Sequence, residues 1–180
     1  MKKMIFSGFG GQGILTLGQI VASIVMKKGK EVTWMPSYGP EMRGGTANCS
    51  LIVSDSKIGS PFVPDALDVL IAMNVFSVMK FESRVKPGGL MIVNTSIVTE
   101  QFMPTRTDIK IVGIDATNIA NTVGSPKVQN MVMLAGFLKE LDMFTMDDIK
   151  NIVKEIFGET KAALVETNIK AVEAGYESIA

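Results

Sequence analysis

The chain has 180 residues, enough for one compact domain with a real core. Its 18 basic and 18 acidic side chains cancel, so the charge balance points to neither nucleic acid nor an anionic membrane. With no histidine and one cysteine, Cys49, a Ser-His-Asp triad, a Cys-His dyad, a His-ligated zinc or haem, an internal disulfide and a four-cysteine cluster are all excluded within the chain.

Lys2 and Lys3 precede an apolar stretch, the outline of a signal peptide, but Gly8, Gly10, Gly11 and Gly13 interrupt it. The better reading is a buried strand over Lys3–Ser7, a glycine turn, and a helix over Ile14–Lys28. Leu17, Ile20, Val21, Ile24 and Val25 give that helix its apolar stripe, and Gly29 stands where a C-terminal glycine belongs. Glu31–Met35 reads as a second strand. Pro36–Gly45 carries two prolines and three glycines and is expected to be irregular. Thr46–Val53 is a third strand, and Val69–Ala72 a short buried one. Asn74–Phe81 reads as a short helix, Lys86–Gly89 as a turn, Leu90–Val93 and Ile109–Ile114 as strands. Asp115 is a candidate cap for a helix over Ala116–Asn121. Helices then follow over Val128–Leu141, Met146–Phe157 and Thr160–Glu177, with Thr145 and Asp148 spaced as a capping box.

Strands alternating with helices predict an α/β fold: a Rossmann-like, mostly parallel sheet flanked by helices, with a helical C-terminal third. No repeat or long linker divides the chain, so residues 1–180 read as a single domain. Hydrophobic residues make up 47% of it, yet no run of about 18 of them exists to span a bilayer. The 13 methionines fit either a gap-filled core or a surface covered by a partner. The lone thiol suits a reducing cytoplasm.

Two loops carry the chemistry. Gly8-Phe9-Gly10-Gly11-Gln12-Gly13 has the spacing G-x-G-x-x-G between a strand and a helix. Glycines there permit a sharp turn and close backbone approach, and the helix that follows points its positive end at an anionic ligand. A dinucleotide site also needs an acid at the end of the second strand, about 20 residues on. Here that end reads Thr33-Trp34-Met35-Pro36, and Glu31 stands at the strand's start. No lysine follows the last glycine, so the loop is not a Walker phosphate loop. A ligand-free tight turn explains the spacing equally.

The second segment is Ser37-Tyr38-Gly39-Pro40-Glu41-Met42-Arg43-Gly44-Gly45. Arg43 is one of only three arginines, and a guanidinium framed by glycines suits a carboxylate or phosphate. Following the second strand, this loop is expected beside the first at the strands' carboxyl ends. An Arg43–Glu41 surface ion pair, or a loop shaped for a protein interface, are the plainer readings.

The phrase GFGGQG followed by SYGPEMRGGTANCSLIVSD resembles the gamma subunit of 2-oxoacid:ferredoxin oxidoreductases, of the 2-oxoglutarate or branched-chain type. IGSP at Ile58–Pro61, Asp68–Asn74, Lys86–Leu90 with Ile92–Asn94, and Asn130–Leu134 extend the likeness over residues 3–140. The resemblance implies a component of an enzyme that decarboxylates a 2-oxoacid with coenzyme A, giving acyl-CoA, CO2 and reduced ferredoxin. It implies inactivity alone, and partners of the alpha and beta kind, in some cases a ferredoxin-like delta subunit. Thiamine diphosphate, magnesium and iron–sulfur clusters would lie on those subunits, with no cofactor bound by this chain alone. No catalytic residue and no metal ligand is assigned to this chain. Gly8, Gly10, Gly11, Gln12 and Gly13, together with Ser37, Tyr38, Gly39, Glu41, Arg43, Gly44 and Gly45, would hold coenzyme A or close over the active site. The competing reading is a free-standing Rossmann-type nucleotide-binding protein, and a weaker third is a scaffold whose loops bind nothing.

Other residues have plainer readings. Cys49 reads as a small buried side chain, and Trp34 as core or interface. Glu155, Glu159 and Glu166 lie among lysines on solvated helix faces, and Asp65 and Asp68 show no partner in the sequence.

Overall fold

The computed structural model describes residues 1–39, 45–63, 65–158 and 161–179. Six strands form one sheet: β1 (Lys2–Phe9), β2 (Glu31–Tyr38), β3 (Thr46–Ser54), β4 (Leu67–Ala72), β5 (Val85–Asn94) and β6 (Lys110–Ile114). The helices are α1 (Ile14–Lys27), α2 (Val75–Phe81), α3 (Ala116–Thr122), α4 (Gln129–Glu140), α5 (Met146–Phe157) and α6 (Ala162–Ser178). Strand order across the sheet is β2-β3-β1-β4-β5-β6.

The sheet follows from period-two patterning. Met4 and Phe6 of β1, Leu51 and Val53 of β3, Ile71 of β4 and Ile92 of β5 point to one face, against α1, α3, α4, α5 and α6. Ile5, Ile52, Leu70, Ala72, Met91 and Val93 point to the other, against α2 and the segments around Val63 and Val98. With both faces covered, the central strands read as near-continuous apolar runs. Phe137 of α4 anchors the larger core, edge-on to Phe6 at 6.0 Å and stacked on Phe144 at 5.3 Å.

The expectation of a mostly parallel sheet holds for three of its five strand pairings. β1–β4, β4–β5 and β5–β6 are parallel, whereas β1–β3 and β2–β3 are antiparallel. β3 inserts between β1 and β2, so the adjacent parallel β1–β2 pair of a dinucleotide-binding unit is not formed. Glu31 pairs in register with Ser54, at the end of β2 remote from the glycine loop. The free-standing Rossmann-type reading is therefore disfavoured.

Several boundaries shift. β2 runs through Pro36 to Tyr38, because an edge strand tolerates a residue with no N–H. The Lys86–Gly89 turn is absorbed as an irregularity in β5, with Gly88 at φ 73°. Asp115 precedes α3 but does not cap its backbone; its carboxylate accepts from Ser96 Oγ and from Asn118 Nδ2 instead. The Thr145–Asp148 capping box is present in full at α5. Met4, Met73, Met91, Met131 and Met133 are fully buried, while Met1, Met26 and Met79 are exposed, so the methionines serve both core and surface. Among the described residues no helix is long and apolar enough to cross a membrane.

Candidate functional site

β1 delivers its last residues to a tight turn. Phe9 N–H donates to Gln12 Oε1 at 2.6 Å, and Gln12 N–H donates back to Phe9 O at 3.1 Å. Gly13 is the N-cap of α1 with φ 74°, the left-handed region that only glycine enters without strain. Its carbonyl accepts from Leu17 N at 2.9 Å and from Asn130 Nδ2 of α4 at 3.1 Å. A Cβ on Gly13 would stand 2.5 Å from Asn130 Nδ2, so α4 and the loop approach as closely as a hydrogen atom allows. No side chain caps α1. The first-turn N–H groups of Ile14, Leu15 and Thr16 thus lack intrahelical partners.

A buried polar row supports the loop from the opposite face. Asn74 caps α2, with its Oδ1 accepting from Ser77 N at 2.9 Å. The Ser77 hydroxyl lies 2.9 Å from both Ser7 Oγ and Asn74 Oδ1, and Asn74 Nδ2 reaches Gln12 Oε1 at 3.4 Å. Ser7, Asn74, Ser77 and Asn130 are each at most 5% exposed. Buried polar groups this well satisfied fix geometry, and here they fix the glycine loop.

The second segment does come to the first. Ser37 and Tyr38 belong to β2 rather than to a loop, and Gly39 N–H donates to Thr46 O at 2.7 Å. Gly10 N–H donates to Gly45 O at 2.8 Å, tying the glycine loop to the base of the β2–β3 hairpin. Glu41, Arg43 and Gly44, with Pro40 and Met42, lie outside the described residues, as does Glu159. The expectations placed on them stand on the sequence alone. Between the two segments lies a pocket of about 340 Å³, lined by Phe9, Gly10, Gly11, Gly13, the first turn of α1, Tyr38 and Ala47. Gly8, Gln12 and Ser37 do not line it, and Tyr38, which does, is 70% exposed.

None of these lining residues is charged. The pocket's chemistry is therefore binding: backbone N–H groups at a helix N-terminus favour an anion, and glycines let it come close. Among the described residues no group of three His, Cys, Asp or Glu could hold a metal ion. Cys49 is not a nucleophile for this site. Burial pushes its thiol up to about 12, and its Sγ donates to Ile14 O at 3.7 Å. Asp65 and Asp68 do find partners, Arg84 and Lys86 respectively. Glu155 and Glu166 pair with Lys27 and Lys170 on exposed faces. A larger cavity of about 520 Å³ between α5 and α6, floored by Val165 and Ile169, lies away from both glycine segments. The uncapped helix end and the backbone turn meet at the smaller one.

Sequence reasoning missed the support. Ser7 and Ser77 looked like ordinary strand and helix residues. Asn74 stands three residues before Ser77, a spacing that signals a side-chain cap. Asn130 is 117 residues from the carbonyl it holds, and no local pattern reports that contact.

The sequence matches the pyruvate ferredoxin/flavodoxin oxidoreductase family over residues 3–178. It is 34% identical to the ketoisovalerate oxidoreductase subunit VorA of Methanothermobacter marburgensis, over 94% of this chain and 34% of that one. The chain thus spans about a third of the length of the VorA relatives it matches. It is 31% identical to the 2-oxoglutarate synthase subunit KorC of Methanocaldococcus jannaschii, over 98% of this chain and 92% of that one. In structure it resembles the gamma subunit of a keto/oxoacid ferredoxin oxidoreductase from Geobacter sulfurreducens, with TM-score 0.81 and 29% identity over 98% and 97% of the two chains. It shares its fold with part of the 2-oxoglutarate:ferredoxin oxidoreductase of Magnetococcus marinus, whose structure has 2-oxoglutarate, coenzyme A and succinyl-CoA bound. That match has TM-score 0.86 and 22% identity, and covers 98% of this chain and 30% of that one.

Proposed function

The chain belongs to the pyruvate ferredoxin/flavodoxin oxidoreductase family, and from that premise we propose that it is the gamma component of a 2-oxoacid:ferredoxin oxidoreductase. The whole enzyme decarboxylates a 2-oxoacid of the 2-oxoglutarate or branched-chain type in the cytoplasm. Coenzyme A takes the acyl group, CO2 leaves, and two electrons pass to ferredoxin. Thiamine diphosphate, magnesium and iron–sulfur clusters supply that chemistry from alpha and beta subunits, with ferredoxin as the acceptor. This chain acts as one domain and contributes binding. Gly8–Gly13 turn the backbone, the first turn of α1 presents N–H groups to an anionic part of coenzyme A, and the Ser37–Gly45 segment closes over it with Arg43 as counter-charge.

The observation that supports this most is the Gly10 N–H to Gly45 O bond, which makes one pocket from the two glycine-bearing segments. The test is anaerobic co-purification of the tagged chain from its own host. The eluate should contain the partner subunits and reduce a dye with a 2-oxoacid and coenzyme A. Arg43→Ala should raise the KM for coenzyme A in the assembled enzyme. A lone, inactive chain overturns the subunit assignment. Loss of assembly without a change in KM overturns the ligand role.

A further inference from the structure

The cavity of about 520 Å³ between α5 and α6 has no part in the coenzyme A role. Gly158, just past the end of α5, and Ala162, Val165 and Ile169 of α6 line it. The three α6 residues stand at i, i+3 and i+7, the spacing of a heptad seam, and span about 10 Å, or two helical turns. α6 uses a different stripe for its own fold. Asn168, Ala171, Val172 and Gly175 are buried, and a Cβ on Gly175 would stand 2.6 Å from Val132 O of α4. The helix therefore carries a second apolar stripe that the chain covers only in part: Val165 and Ile169 are half-buried and Ala162 is exposed. Ile156, in the last turn of α5, and Leu164, in the first turn of α6, are 43% and 39% exposed and extend the apolar surface at that end.

Charge selects the kind of partner. The lining includes both signs, Lys154 and Lys170 with Glu166 and Glu173. Lys170 pairs with Glu166 at 2.6 Å, and Glu173 with Lys150 of α5 at 2.7 Å. Nucleic acid and anionic bilayers are met by surfaces of one sign. Mixed charge beside an apolar seam suits an amphipathic helix with mixed charges of its own. The relatives indicate where that helix comes from. In VorA and in the Magnetococcus enzyme, the part that matches this chain is about a third of a longer chain. KorC, in contrast, is matched over 92% of its length. Where the remainder is a separate chain, contact must replace the peptide bond. We propose that the α5–α6 groove holds an amphipathic helix of the subunit that corresponds to that remainder, with apolar residues at i, i+3 and i+7 entering along Ala162, Val165 and Ile169. This rests on the reading of the chain as a subunit, and names the face by which it assembles.

The test uses the purified assembled enzyme and titration of the labelled chain into its partner subunits. A photo-crosslinking phenylalanine analogue at Ala162 should attach to one peptide of a partner subunit, with apolar residues at i, i+3 and i+7. Attachment to a second copy of this chain, to a peptide without that spacing, or to nothing overturns the proposal. Ala162→Glu should raise the dissociation constant for the partner at least tenfold. It should leave the melting temperature of the isolated chain unchanged, because an acid suits the first position of a helix. Ile169→Gln should weaken binding in the same direction, and Ala162→Ser should bind within about twofold of the native chain. With the partner saturating, the KM for coenzyme A should be unchanged in all three; a rise would put the groove in the ligand site and overturn the proposal. If the native chain assembles and Ala162→Glu binds as tightly, only this inference fails. If the native chain holds no partner at all, the subunit reading fails with it.

Discussion

Gly13→Ala probes the clamp between α4 and the glycine loop. Holding a non-glycine residue at φ 74° costs about 1–2 kcal/mol. The new Cβ would sit 2.5 Å from Asn130 Nδ2 and 2.7 Å from its Cγ, so the amide must swing away. That breaks its 3.1 Å bond to Gly13 O and strands a buried donor, for about 1–3 kcal/mol more. The total is about 2–5 kcal/mol. At about 2–4 °C per kcal/mol for a domain of this size, the melting temperature should fall by roughly 5–20 °C. Asn130→Ala alone should cost about 1–3 kcal/mol. In the double variant the collision is gone and only the backbone strain remains beside the lost amide. The two penalties should therefore fall short of additive by the shared amide loss, about 1–3 kcal/mol, in urea unfolding of the purified chain. Additivity within a few tenths of a kcal/mol would refute the clamp. So would a Gly13→Ala cost below the strain term alone.

Three further outcomes are expected. Thr145→Ala removes half of the capping box at α5 and should destabilise the chain by about 1 kcal/mol in the same urea titration; no change would mean the cap is not made in solution. Asp68 is held below its ordinary carboxylate range. Burial opposes this, but the 2.6 Å bond to Lys86 and the Lys3 N–H at 2.7 Å outweigh it. A depressed folded-state value contributes stability above the unfolded value near pH 4 and loses it as pH falls through the folded one. Asp68→Asn should therefore flatten the acid limb of the stability curve and lower stability at pH 7, and an unchanged limb would refute the pairing. Cys49, with its thiol pushed up to about 12, should resist iodoacetamide at pH 8 in the native chain and react fully in denaturant. Fast native labelling would show that the packing around Trp34 opens.

Much of the site was legible because glycine and proline announce backbone geometry locally. Gly10, Gly11 and Gly13 fall in the turn they predict, and Gly45, after the second segment, meets them through the Gly10 N–H. The register of that meeting was not legible. Pro36 suggested that regular structure stops there, yet on an edge strand its missing N–H interrupts no neighbour's ladder, and β2 continues to Tyr38. Asp115 precedes a helix as a cap would, but Ser96, 19 residues away, competes for its carboxylate.

The alternation of strands and helices, the glycine turn at the end of β1 and the capping box of α5 are already written in the residues. All of these are set within a few residues, by steric limits on φ and by the two- and 3.6-residue periods. The place of β3 between β1 and β2, which removes the dinucleotide geometry and sets a hairpin beside the glycine loop, comes from long-range packing. It alone placed Asn130 on Gly13 and Asn74 on Gln12. Strand order and such contacts depend on which apolar faces bury each other best across the whole chain, and that competition leaves no mark in any short stretch of sequence.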